Sequence, residues 1–302
     1  MNNNILLESG TGEVELLEFV VNENHYVINV IKVKEVLNID NITKLPQTHP
    51  AVAGLILFRE EILTLIDLKY VLDNEKQDLK KHPKTIICEF NKIKVAFNID
   101  DIVGVHRIKW TEIMKPDEIS ANSLVIGNIF LNNQILLLLD FEKIVTDISP
   151  NTGISEDKLI QVDFKDRSNI NILLADDSAL IRKLLKDTLT AAGFTNLTIV
   201  DDGKQAFDYL KNLEDKKGSN FTEDIQMLIT DIEMPQMDGH TLTRKIKEDP
   251  ILRKLPVIIF SSLITNNLRH KGEAVGADAQ LSKPEVGNLV NLIDKFADSL
   301  NK

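Results

Sequence analysis

The sequence predicts two domains of different class, an all-β amino-terminal half and an α/β carboxyl-terminal half built on a parallel five-stranded sheet. Three observations carry this. The 302 residues suffice for two domains of ordinary size. From Glu13 to about Val145 the chain is a series of short β-rich runs broken by turn residues. After Ile170 apolar strand segments alternate with helical patterns, which implies parallel strands covered on both faces.

In chain order, the β-rich runs are EVELLEFVV (residues 13–21), HYVINV, GLILF, ILTLID, TIICEF, KVAFNID, SLVIGNIF and QILLLLDF. Asn22–Asn24, Arg59–Glu61, Asn91–Lys92 and Asn132–Asn133 supply the breaks. Short helices are expected at Val33–Leu37, Leu68–Leu72 and Phe141–Val145. The charged stretch Asp73–Lys84 reads as a surface connection between two β-subdomains. Residues 147–168, with a Pro-Asn-Thr-Gly core, read as the interdomain linker, in which LIQVDF could add a strand. The linker divides the chain into domains at 13–146 and 169–302. In the second, strands are expected at Asn171–Ala175, Leu197–Asp201, Ile225–Thr230, Pro256–Phe260 and Asp278–Leu281. Helices are expected at Ala179–Ala192, Lys204–Leu213, His240–Glu248, Thr265–Val275 and Glu285–Leu300.

Composition excludes several classes. A net charge of −11 opposes general nucleic-acid binding, which needs clustered cations to neutralise phosphates. No basic recognition helix is readable, so a transcription factor is not expected either. One cysteine, Cys88, in an apolar run, allows no internal disulfide and reads as a core thiol. No apolar run approaches the ~20 residues of a membrane span, and the first residues carry no secretory pattern. The expectation is a cytoplasmic protein without membrane insertion.

Ligands of open parallel sheets bind beyond the carboxyl ends of the strands. There the sequence places Asp176-Asp177, Asp231, Ser261-Ser262 and Lys283-Pro284. Clustered carboxylates raise one another's pKa unless a cation sits among them, and an all-oxygen site suits Mg²⁺. An aspartate can attack phosphorus to give an acyl phosphate, with cationic and hydroxyl groups stabilising the phosphoryl oxygens. Taken singly, Asp177-Ser178 could cap a helix, Asp231 could be a turn residue, Ser261 a buried hydroxyl and Lys283 a solvated cation. Their joint order at strand ends is what points to chemistry.

ILLADDS, LITDIEMPQMDG, PVIIFSS and LSKP together resemble the receiver domains of two-component response regulators, over Ile170–Lys302. The resemblance implies strand order 2-1-3-4-5, Asp231 as phospho-acceptor, and Mg²⁺ held by Asp176, Asp177, Asp231 and the Glu233 main-chain carbonyl. It implies phosphoryl contacts from Ser261 and Lys283. Gln280 stands where the family often has an aromatic switch residue, so no rotating ring can report phosphorylation here. A Mg²⁺-dependent aspartyl-phosphate phosphatase is a rival reading, opposed by the missing second aspartate after Asp231-Ile232. A receiver that docks without being phosphorylated is another.

The amino-terminal half shows no catalytic spacing, and His25, His49, His82 and His106 form no ligand pattern. AVAGLILFREEILTLIDLKYVL (51–72), with VIKVKEVLN and ITKLPQTHP before it and DDIVGVHRIKWTEI after, resembles the CheW family of chemotaxis coupling domains. That resemblance implies two linked five-stranded barrels that bind the histidine kinase CheA and the cytoplasmic tips of chemoreceptors. Arg59 matches the family's arginine, although Glu60 replaces the usual glycine, and Glu35 matches a family glutamate. A CheW-like domain followed by a receiver is the arrangement of CheV-type coupling proteins. It implies a non-enzymatic scaffold under phosphorylation control, recruited to chemoreceptor arrays, which tunes kinase coupling or serves as a phosphate sink.

Overall fold

The computed structural model of the chain describes residues 12–39, 41–77, 84–90, 93–116, 124–149, 164–262, 266–283 and 285–300. Two compact units result, Val14–Gly153 and one that contains Ile154–Lys302.

Among the described residues the first unit holds ten strands: β1 (Glu13–Val21), β2 (Asn24–Asn29), β3 (Val33–Asn38), β4 (Val52–Phe58), β5 (Glu61–Asp67), β6 (Lys84–Phe90), β7 (Ile93–Ile99), β8 (Asp101–Lys109), β9 (Val125–Leu131) and β10 (Gln134–Leu139). Helix α1 (Leu68–Asp73) follows β5 and α2 (Phe141–Ile148) follows β10. The strands form two five-stranded sheets, ordered β8-β1-β2-β10-β9 and β3-β6-β7-β5-β4.

The two sheets repeat one design. Gly54, Ile56, Ile62 and Asp67 of β4–β5 occupy the same sheet positions as Gly127, Ile129, Ile135 and Asp140 around β9–β10. Asp67 and Asp140 each cap the helix that follows, accepting from Tyr70 N at 3.2 Å and Lys143 N at 2.9 Å. Gly54 and Gly127 each lie beside a short bridge, Thr43 to Leu55 and Met114 to Asn128, and a Cβ on either would collide with Thr43 or Ile113. Each sheet takes two strands from one repeat and three from the other, so neither repeat closes its sheet alone.

Because both faces of several strands are covered, their sequences read as near-continuous apolar runs. Leu17, Phe19 and Val21 of β1 enter a shared core with Ile86, Phe97 and Phe141, where Phe97 and Phe141 meet edge to face at 4.8 Å. Val14 and Leu16, on the opposite face, pack with Val27, Trp110 and Leu138. Cys88 lies in the shared core, and burial pushes its thiol far up from its ordinary value.

Three expectations for this half are corrected. Val33–Leu37 is a strand, not a helix. Val33, Val36 and Leu37 have helical spacing, but pairing with β6 and alternating exposure win. A one-turn 3-10 segment, Val30–Lys32, precedes it, capped by the Asn29 side chain. Strand β8 was not anticipated from the sequence. Asp73–Lys84 does not join two subdomains, because β5 and β6 lie in the same sheet.

In the second unit β11 (Asn171–Ala175), β12 (Asn196–Val200), β13 (Met227–Thr230), β14 (Val257–Ser261) and β15 (Ala279–Ser282) pair in parallel, ordered β12-β11-β13-β14-β15. The helices are α3 (Ala179–Ala191), α4 (Gly203–Lys217), α5 (Gly239–Glu248), α6 (Asn266–Ala274) and α7 (Val286–Leu300). Side chains of α3 and α7 pack on one face of the sheet, and those of α4 and α5 on the other.

Of residues 147–168, Asp147 and Ile148 complete α2. Residues 150–163, with most of LIQVDF, lie outside the described residues, as do His82 and Pro284. Arg167 is buried on the second unit, paired with Asp294 through Nε and Nη2 at 2.8 Å each, over the Phe194 ring.

Candidate functional site

The strand register builds the site. Ala175 pairs with Val200 and Thr230, Thr230 with Ile259, and Ser261 with Ser282. The next residues, Asp176, Asp231, Ser262 and Lys283, therefore leave the sheet on one edge. Three apolar strands, with Leu173, Ile229, Ile258 and Phe260 all buried, lock that register.

Lys283 Nζ stands 2.7 Å from Asp231 Oδ2 and 2.9 Å from Asp176 Oδ2. All three side chains are buried, with relative exposures of 2% for Asp176, 6% for Asp231 and 3% for Lys283. A buried ammonium between two carboxylates is maintained only by good geometry. Asp177 is half-buried and brings a carboxylate oxygen within 4.8 Å of those of Asp176 and Asp231. Asp176 is pushed up to about 6, first by burial and then by the Asp231 charge, against the opposing pull of Lys283. Three hard oxygen donors so close, one of them reluctant to ionise, fit a divalent cation such as Mg²⁺. Ser261 is 1% exposed at the end of β14. Glu233 is half-buried, two residues beyond Asp231 in the loop before α5.

The loops around the acidic residues are held by local contacts. Ile232 N donates to Asp231 Oδ1 at 2.6 Å, and Asp231 N to Ala175 O at 2.9 Å. Asp238 caps α5 through His240 N and Thr241 N, both at 3.0 Å. Gly239 lies so close to the Asp231 carbonyl that a Cβ there would overlap it. Ser178, not Asp177, is the cap of α3, and its N–H donates to Asp176 Oδ1 at 2.9 Å. Arg182 Nη1 donates to the carbonyls of Asp176 and Asp177. Gln280 faces α6, where its Nε2 donates to Arg269 O at 2.8 Å and its Oε1 is buried with no partner among the described residues. His240 is also buried beside α6, bonded to the Leu268 backbone, and burial lowers its basicity.

The first unit brings together residues far apart in sequence. Arg59 Nη2 meets Glu35 Oε2 at 2.7 Å on the surface, with Arg59 in the left-handed region (φ 56°) at the β4–β5 turn. Its guanidinium lies over Phe58 at 5.0 Å. Beside it Leu57 and Ile62 pair across the hairpin, 73% and 70% exposed. These apolar neighbours were not singled out from sequence. The histidines are not all scattered: His25 Nδ1 lies 2.5 Å from Glu18 Oε1, and His106 Nε2 contacts Glu18 Oε2, around a buried carboxylate. Only the strand pairing could reveal that cluster.

The CheW-like domain matches residues 15–149, and the response regulator receiver domain matches residues 172–294. The chain is thus a chemotaxis coupling protein with an attached receiver. Chemotaxis protein CheV3 of Helicobacter pylori is 31% identical over 300 residues, covering 95% of both chains. Chemotaxis protein CheV1 of the same organism is 26% identical over 307 residues, covering 95% of this chain and 94% of its own. The chain belongs to the CheV family. Among the described residues no helix is long and apolar enough to cross a membrane.

Proposed function

We propose that this protein joins the cytoplasmic tips of chemoreceptors to the histidine kinase CheA, and that phosphorylation of Asp231 tunes that coupling. The observation that supports the regulated half is Lys283 lodged between the buried Asp176 and Asp231 at one sheet edge. The domains are residues 13–146 for coupling, 147–168 for the linker and 169–302 for the receiver.

In the transfer, an Asp231 carboxylate oxygen attacks the phosphorus of a phosphohistidine on CheA. The P–N bond breaks, the imidazole leaves with the electron pair, and an O–P bond gives an acyl phosphate. Lys283 shifts from the carboxylate to a phosphoryl oxygen, and the Ser261 hydroxyl donates to another. Mg²⁺, held by Asp176, Asp177, Asp231 and the Glu233 main-chain carbonyl, would neutralise charge on the phosphoryl group. Arg59 and Glu35 belong to the partner-binding surface, where the apolar Leu57–Ile62 pair adds buried area. The protein acts in the cytoplasm at receptor arrays.

Co-sedimentation tests this reading. Receptor-bearing membranes are incubated with CheA and this protein, with and without acetyl phosphate and Mg²⁺. The expected result is CheA retention that depends on this protein and changes on phosphorylation. Retention of no CheA in either condition overturns the coupling assignment.

A further inference from the structure

The loop that carries both neighbouring aspartates is held by a side chain outside the acidic cluster. Arg182, half-buried on α3, donates from one nitrogen to Asp176 O at 2.8 Å and to Asp177 O at 2.9 Å. Its own N–H donates to Ser178 O at 2.9 Å, so backbone and side chain of one residue tie the first turn of α3 to the whole Asp176–Ser178 turn. Ser178 completes the clamp, with its N–H on Asp176 Oδ1 and its Oγ accepting from Ile181 N at 3.4 Å. The two carbonyls point away from the helix ladder and need a donor.

We propose that Arg182 is a positioning residue that presets Asp176 and Asp177 for a divalent cation. This rests on the reading of the acidic cluster as a Mg²⁺ site. Arg182 touches neither the cation nor the phosphoryl group. It holds the peptide units from which the two carboxylates project, so its removal lets the turn relax and spreads the donors. Groups that orient metal ligands in this way are worth about 10-fold or more in affinity. Lysine keeps the charge, but its nitrogen sits on a shorter, more flexible stem that does not fix it between the two carbonyls.

The test uses the full-length protein and Mg²⁺ alone, by isothermal titration calorimetry, on wild type, Arg182→Ala and Arg182→Lys. Metal-free melting curves and phosphoryl uptake at saturating Mg²⁺ are measured beside it. The expected result is a Mg²⁺ dissociation constant raised about 10-fold in Arg182→Ala and less in Arg182→Lys. Uptake at saturating Mg²⁺ should stay within about twofold of wild type. Should the alanine variant not fold, the lysine variant carries the test: a shifted Mg²⁺ affinity supports the inference and an unshifted one overturns it. Wild-type affinity in a folded Arg182→Ala overturns it alone. A wild type that binds no Mg²⁺ overturns the acidic-site reading and this inference together.

Discussion

At the residue scale, Asp176 sets the behaviour of the acidic edge. Burial raises its carboxyl to about 6, so in the fold it keeps a proton that the unfolded chain has already released. Its contribution therefore favours folding below the ordinary carboxylate range and is lost as pH rises through about 6. Without metal, Asp176→Asn should flatten the fall in thermal stability between pH 4 and pH 6 expected of this group, within roughly that window. Equal pH profiles for the two proteins would contradict the assignment. Gly239 is the second sensitive residue, since a Cβ there would overlap the Asp231 carbonyl. Gly239→Ala is expected to cost about 1–3 kcal/mol in chemical denaturation and to slow phosphoryl uptake. An unchanged denaturation midpoint would show that the loop has room to spare. Asp176, Asp231, Ser261 and Lys283 were legible in the sequence because strand ends are legible, and strand ends share an edge. Arg182 was not, because its bonds go to backbone carbonyls and leave no mark in residue types. Glu18 was not either, because its two histidines come from other strands.

At the element scale, α6 shows how one substitution changes a contact. A Cβ on Gly272 would overlap the Gln280 carboxamide, so β15 and α6 approach through a glycine seat where other receivers often place an aromatic ring. The atoms met are the end of a flexible side chain, so Gly272→Ala in the wild type is expected to stay within about 1 kcal/mol, the displaced Gln280 offsetting alanine's better helix propensity. In a Gln280→Ala background it should be stabilising by about 1 kcal/mol, because alanine is the better helix former. Equal effects in both backgrounds, measured as a double-mutant cycle, would contradict the contact. The alternation of strands and helices in the second unit was readable because buried parallel strands and amphipathic helices differ in period. The first unit was harder. Val33–Leu37 fits helical spacing yet pairs with β6, and β8 mixes exposed valines with polar residues. The exchange of strands between repeats also could not be read from local pattern, which is why Asp73–Lys84 looked like a boundary.

At the scale of the whole molecule, one chain combines a strand-rich coupling unit with an α/β unit that gathers three carboxylates and a lysine at one sheet edge. The exposed Leu57–Ile62 pair beside the Arg59–Glu35 ion pair gives the first unit a surface with both apolar area and charge. The ion pair itself, at the surface, contributes about 0–1 kcal/mol to stability. In the proposed function, control of the coupling rests on Asp231. The most direct measurement is phosphoryl transfer from labelled CheA to the full-length protein, with Mg²⁺ and with EDTA, beside Asp231→Asn. Label is expected on the wild type, dependent on Mg²⁺, and absent from the variant. No label on the wild type, with no accelerated loss of label from CheA, would contradict that role of Asp231.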